Sequence, residues 1–104
     1  MGRRRVALAL AEPAEHDLAN VAAWYVERHP SGERRFVEAF AEVGRLLSSH
    51  PDIGQQRDEL HPGLRSWLVH PYVVFYLFDG QPRVITIVRV LHQRMDVDEV
   101  VFVP

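Results

Sequence analysis

The chain has no cysteine, and its twelve basic residues are all arginine, so it has no lysine either. The first absence excludes a disulfide scaffold, a thiolate metal site and a cysteine nucleophile. The second excludes Schiff-base chemistry and a lysine general base. Long apolar runs are missing too, and nothing approaches the roughly 18 residues of a membrane span. Residues Val6 to Ala11, behind Arg3, Arg4 and Arg5, superficially resemble the start of a signal peptide. That run is shorter than the roughly 7–15 apolar residues such a segment needs, and Glu12 ends it. The expectation is a cytoplasmic protein with no membrane partner. An excess of one charge is also lacking, since the formal charge is -2. Acidic residues outnumber basic ones and no DNA-reading motif is present, so direct DNA binding is not expected, although local arginine patches remain.

What is present fits one globular domain spanning residues 1–104. Hydrophobic residues make up 47% of the chain and charged ones 25%, and a chain this size buries roughly 65% of its unfolded surface. Val6 to Leu10 reads as a short strand. Pro13, flanked by Glu12 and Glu15, suits the first turn of a helix. Ala14, Leu18, Val21, Ala22 and Tyr25 form that helix's apolar stripe, and His29-Pro30 stops it. Ser31 is placed to cap a second helix, with Glu33 in its first turn. Phe36, Phe40, Val43 and Leu47 supply its stripe, and His50-Pro51 ends it. Asp52 to Gly63 reads as a loop. Trp67–His70 and Tyr72–Phe78 are rich in aromatic and β-branched residues and read as strands. Asp79-Gly80 signals a hairpin turn that Gln81-Pro82 lengthens. Val84–His92 is the best strand and belongs in the sheet centre, with the helices on one face. Val100–Val103 is a short edge strand or a tail. The order β-α-α-β-β-β gives an α+β fold, with an antiparallel helical hairpin packed on a mainly antiparallel sheet.

The densest polar cluster lies near the end of the last strand: Arg89, His92, Gln93, Arg94, Asp96, Asp98 and Glu99. Arg89 interrupts an apolar strand, where a charge is paired or functional. One reading is an ion pair to Asp96 or to a helix glutamate; the other is a functional arginine. Arg65 opens a strand and is placed either to hold an anion with its planar fork or to bridge to Glu59 or Asp58. Trp67, Tyr72 and Tyr76 alternate along strands, leaving ring surface for the core or for a partner. None of the six histidines has HxxxH or HxH spacing, and His29, His50, His61 and His70 each precede proline. No metal site and no cofactor is expected.

Three segments carry a family resemblance: Glu59-Leu60-His61-Pro62-Gly63-Leu64-Arg65, Tyr72-Val73-Val74-Phe75-Tyr76, and Val88-Arg89-Val90-Leu91-His92-Gln93-Arg94-Met95-Asp96. Together they resemble the ParE branch of the RelE/ParE toxins, the toxic halves of bacterial type II toxin–antitoxin pairs. Asp17-Leu18 and Trp24-Tyr25 resemble the family's first helix, and Pro51-Asp52-Ile53-Gly54 its loop after the hairpin. The likeness covers nearly the whole chain.

The resemblance implies one of three activities. RelE-like members are ribosome-dependent messenger-RNA endonucleases, whose chemistry needs a base, cations for the charged phosphorane and an acid. Glu59, Arg65 and His92 are the candidates here. The usual lysines are absent, however, the arginine expected on the central strand falls near Val73, and Gln93 stands where a tyrosine is expected. ParE-like members inhibit DNA gyrase by protein–protein contact and need no catalytic constellation. For that contact the candidates are Arg65, Arg89, His92, Arg94 and Asp96. The third alternative is a non-toxic binding module of the same fold. In each case the implied partner is a ParD-like antitoxin with a segment that folds on the toxin, giving a hetero-oligomer. Candidate antitoxin contacts are Trp24, which sits just off the first helix's core stripe, with Tyr25, Trp67 and Tyr76.

Overall fold

The computed structural model describes residues 6–81 and 83–103. Arg3, Arg4 and Arg5, weighed above as part of a leader, and Pro82, assigned to the hairpin loop, lie outside the described residues. The elements run β1 (Ala7–Leu10), α1 (Glu12–Arg28), α2 (Pro30–Ser49), β2 (Gln55–Gln56), β3 (Arg65–Val69), β4 (Tyr72–Gly80) and β5 (Arg83–His92). They form an α+β fold with two helices on a five-stranded sheet of order β1-β5-β4-β3-β2. Among the described residues only the β1–β5 pair is parallel; the other pairs are antiparallel.

Both helix junctions follow from proline. α1 carries proline in its first turn with Glu12 and Glu15 at its positive end, where negative charge is stabilised. It ends at Arg28, and the His29 amide still donates to the Tyr25 carbonyl at 2.7 Å. Ser31 does not cap α2. Pro30 already starts that helix, because its fixed φ is helical and its missing N–H is one that a first turn leaves unpaired, so Ser31 falls inside the first turn. The tight joint depends on Gly32, since a side chain there would collide with the His29 and Tyr25 rings.

The sheet has two covered faces. Under the helices lie Ala14, Val21, Phe36, Leu47, Val74, Tyr76, Ile85, Ile87 and Val90. On the opposite face Leu64, Phe75, Val88, Leu91 and Phe102 form a second cluster. A bulge assigns residues to these faces. Phe75 pairs with Arg89 and Tyr76 with Ile87, so Val88 is the extra residue. The insertion moves the helix-facing positions of β5 from Ile85 and Ile87 to Val90, which a strict two-residue alternation would have turned outward.

Two expectations need correction, and one pair of alternatives is decided. Asp79-Gly80 is not the turn: Asp79 pairs with Val84 and Gly80 with Arg83, so the ladder runs two residues further. Instead the Asp79 carboxylate accepts the Gln81 amide at 2.9 Å, a local bond that aspartate favours at turns. The loop after α2 contains a short strand, β2, pairing Gln55 with Ser66 and Gln56 with Arg65. Residues 100–103 form no strand among the described residues, yet Phe102 is 2% exposed.

Tyr76 fixes the end of α2 to the sheet. Its ring is buried, and its hydroxyl donates to the Pro51 carbonyl at 2.8 Å and accepts the Gly54 amide at 2.9 Å. Burial pushes the phenol's pKa up. Tyr76→Phe leaves the buried Gly54 amide unpaired and is expected to lower stability by about 1–3 kcal/mol. A urea unfolding curve with an unchanged midpoint would mean that this joint carries no stability.

Candidate functional site

The long strands organise the site because they bring α1, the start of β4 and the end of β5 together. Tyr72 pairs with His92 across the ladder, and their rings meet edge to face at 5.5 Å. Asp17, Asn20 and Trp24 approach from α1, and Met95 closes the far side of an open groove of about 240 Å³. The groove is an aromatic and apolar surface with polar groups at its rim.

Asp17 determines where α1 sits. Its carboxylate accepts Arg89 Nε at 2.7 Å and Arg89 Nη2 at 2.9 Å, and also the Val90 backbone amide at 2.9 Å. Arg89 is therefore paired, but not with Asp96 or a helix glutamate. Asp96 is exposed and accepts the Asp98 amide at 3.0 Å. The bulge at Val88 and the helix beside the strand edge bring Asp17 within reach instead. The fork-shaped contact to Asp17 holds the Arg89 pKa above its ordinary value. With side chains 23% and 11% exposed, this pair is screened far less than a surface one.

The other polar candidates divide between the groove and the opposite end of the sheet. His92 is exposed at the groove, and its Nδ1 accepts the Arg94 amide at 3.2 Å. Arg94 is also exposed. Arg65 makes neither of its expected bridges: Nη1 donates to the carbonyls of Asp52 at 2.9 Å and Gly54 at 2.8 Å. Glu59 accepts Arg57 Nε at 2.7 Å, and Asp58 accepts the Gly63 amide at 2.8 Å. Strand alternation explains the miss. Arg65 shares the helix side with Trp67 and Val69, whereas Arg57 lies over the Phe75 ring on the other face. The Arg57 contact also holds the Glu59 carboxyl below its usual pKa.

The proposed nuclease residues do not converge. Arg65 is opposite Tyr76, whereas Val69, Tyr72 and His92 line up at the other end of the ladder. That separation is about 13 Å along β3 and about 10 Å across two strand spacings.

The aromatic candidates also divide. Trp24 is 44% exposed, stands edge-on to Tyr25 at 5.1 Å and lies under the Arg28 guanidinium at 5.8 Å. Tyr25 is half-buried and stacks on Phe36 at 5.8 Å. Trp67 packs partly into the helix-side core. Tyr76 is fully buried and cannot be a surface contact as expected; its strand position points it under the end of α2. Tyr72 was singled out only as one of three alternating strand aromatics, and it is the one that reaches the groove; Asn20 and Met95 were not among the candidates, and no periodicity marks them. Among the described residues no group of three histidine or acidic side chains is placed to hold a metal ion. No helix among them is long and apolar enough to cross a membrane.

The family model for the ParE toxin of the type II toxin–antitoxin system parDE matches residues 8–97. Toxin ParE1 of Mycobacterium tuberculosis is 45% identical over 51 residues, covering 49% of this chain and 51% of that protein. Toxin ParE3 of Caulobacter vibrioides is 39% identical over 64 residues, 56% of this chain and 62% of that one. The matched stretch thus spans about half to three-fifths of these relatives. Among solved structures, the chromosomal ParDE system of P. aeruginosa superposes with a TM-score of 0.68 at 23% identity, covering 84% of this chain and 95% of that one. The RelBE2 toxin–antitoxin complex of M. tuberculosis gives 0.57 at 24% identity, covering 86% and 99%. At these identities the two structures share the fold.

Removing either partner of the Asp17–Arg89 pair leaves a half-buried charge uncompensated. Asp17→Ala is expected to cost about 3 kcal/mol, and Asp17→Ala with Arg89→Met clearly less than the two single losses added together. Urea melts of the four proteins in this cycle measure the coupling. Additive losses would show that the two side chains act independently.

Proposed function

The chain belongs to the ParE toxin family of type II toxin–antitoxin systems, and from that premise we propose that it is a cytoplasmic toxin that acts by binding DNA gyrase and is neutralised by a ParD-like antitoxin. The observation that carries this reading is the groove beside α1. It presents Trp24, Tyr72, His92 and Met95 as contact surface, while the candidate acid, base and phosphate clamp lie apart. A surface of this kind suits recognition: exposed aromatics flanked by arginine are the residues that dominate protein–protein affinity.

Neutralisation follows from overlap. An amphipathic antitoxin helix laid along the groove would anchor on Trp24 and, in doing so, cover His92 and the neighbouring Arg94 and Asp96. Those three are the exposed members of the target-binding set. Arg89 supports them from beneath, and Arg65 is occupied at the other end of the sheet. Occupation of one surface by either partner explains inhibition without a chemical step, and the toxin–antitoxin pair is a hetero-oligomer.

The test is a supercoiling assay with purified gyrase, scoring both loss of supercoiling and accumulated cleaved plasmid. Both are expected, and both should be relieved by the antitoxin. Trp24→Ala should weaken antitoxin binding by at least about tenfold, the effect of losing one anchoring aromatic, with an unchanged thermal melt. No effect on gyrase at large excess would defeat the target assignment. Ribosome-dependent RNA cleavage lost on changing Glu59, Arg65 or His92 would instead establish a nuclease. Harmless expression of folded protein would leave a binding module of the same fold.

A further inference from the structure

The face of the sheet opposite the helices is closed by its own chain. Residues 93–103 leave β5 at His92 and are tied down at their root, where the Gln93 amide donates to the Pro71 carbonyl at 2.8 Å. Arg94 and Met95 are also tied back to His92, by its Nδ1 at 3.2 Å and its carbonyl at 2.9 Å; past Met95 the ties are internal, the Asp98 amide to the Asp96 carboxylate and the Val100 amide to the Val97 carbonyl at 3.1 Å. Among the described residues no backbone hydrogen bond joins 101–103 to the sheet. One side chain does most of the holding. Phe102 is 2% exposed, while Val101 and Val103 on either side are 65% and 48% exposed. Its ring centroid lies 4.7 Å from that of Phe75, and Val97 and Val100 pack only partly against the same cluster.

We propose that residues 97–103 are a strap that lifts from the sheet while the rest of the domain stays folded, baring an apolar seat formed by Leu64, Phe75, Val88 and Leu91. The physical reason is the imbalance between one buried aromatic anchor and the backbone freedom lost in ordering a segment that gains no ladder bonds in return. The strap is thus an intramolecular ligand that shields this seat in the free protein. Leu91 also borders the groove beside α1, whereas Leu64, Phe75 and Val88 do not line it, so a probe at Val88 tests the strap apart from the gyrase reading.

The chain's lack of cysteine makes the test clean. A thiol introduced by Val88→Cys lies under the strap, whereas one from Ile85→Cys lies under the helices, and both parent residues are buried. With a thiol-reactive dye in native buffer, the Val88→Cys protein should be modified at least about 100-fold faster than its own unfolding equilibrium allows, at a rate nearly independent of low urea. The Ile85→Cys protein should follow global unfolding. Adding Phe102→Ala to Val88→Cys should speed labelling about tenfold or more while the melt stays cooperative. Phe102→Ala alone should raise binding of the apolar dye ANS several-fold, a readout that needs no introduced thiol. Equal, urea-driven labelling at the two positions, or collapse of the fold on Phe102→Ala, would overturn the proposal and make the segment an integral part of the core.

Discussion

The rest of this structure depends on a single carboxylate, that of Asp17. β1 pairs with β5 only as far as Leu10 opposite Ile87, and Ala11 adds one more bond, to the Ile87 carbonyl at 2.9 Å. Beyond that point the outer edge of β5 has no strand beside it among the described residues. α1 takes the strand's place, and Asp17 supplies the acceptor that a strand would have offered to the Val90 amide. The same carboxylate receives the Arg89 fork. Burial of Ala14, Leu18, Val21 and Tyr25 draws the helix to the sheet but leaves its rotation and slide loosely defined, because hydrophobic attraction has no direction. A fork-shaped, charge-assisted contact does have direction.

The exposed groove is a consequence of that placement. Trp24 follows Asp17 by seven residues, two turns and about 10 Å along the same side of α1. Once Asp17 faces the edge of β5, Trp24 must face the space beyond the end of that strand, where Tyr72 and His92 sit. Its exposure is therefore imposed by register. Arg28, one turn further on, covers the indole with its guanidinium. The arrangement shields some apolar surface yet leaves it available, since a single cation–π contact at an exposed site contributes only about 0.5–1 kcal/mol.

Much of this was legible in the sequence, and the misses have physical causes. The two helical stripes, the prolines that bound them and the β-branched run of β5 act locally, so helix order, sheet class and the existence of β5 could be read directly, although β5, expected at the sheet centre, is the second strand and β4 the middle one. The partner of Arg89 could not, because it lies 72 positions away and depends on a bulge that no residue type announces. Tyr76 looks like any strand aromatic, and only the fold places its hydroxyl between Pro51 and Gly54. Strand β2 is too short for periodicity to reveal. The two-residue extension of the β4–β5 hairpin was hidden because Asp79-Gly80 is also the strongest turn signal in that stretch. Of the site, Trp24 and His92 were nominated from sequence and do meet at one groove, beside Tyr72, which alternation along its strand had also marked, whereas Asn20 and Met95 joined them only through the fold.

The two ends of the sheet differ in what their polar groups have left to offer, and this difference bears on mechanism. At the Arg65 end the guanidinium holds two carbonyls, the Tyr76 hydroxyl donates and accepts, and Glu59 is paired with Arg57. These groups organise the chain leaving α2, and recruiting them to a substrate would undo the bonds that position them. At the His92 end the half-buried charge of Asp17 is neutralised internally, whereas the histidine, Arg94 and the indole of Trp24 are exposed. Chemistry on a phosphate needs several groups fixed around one atom. Binding needs an anchoring aromatic in a shaped depression with polar groups at its rim. The polar residues that are held firmly serve the fold, those that are free surround a groove, and the second arrangement is the one that suits recognition.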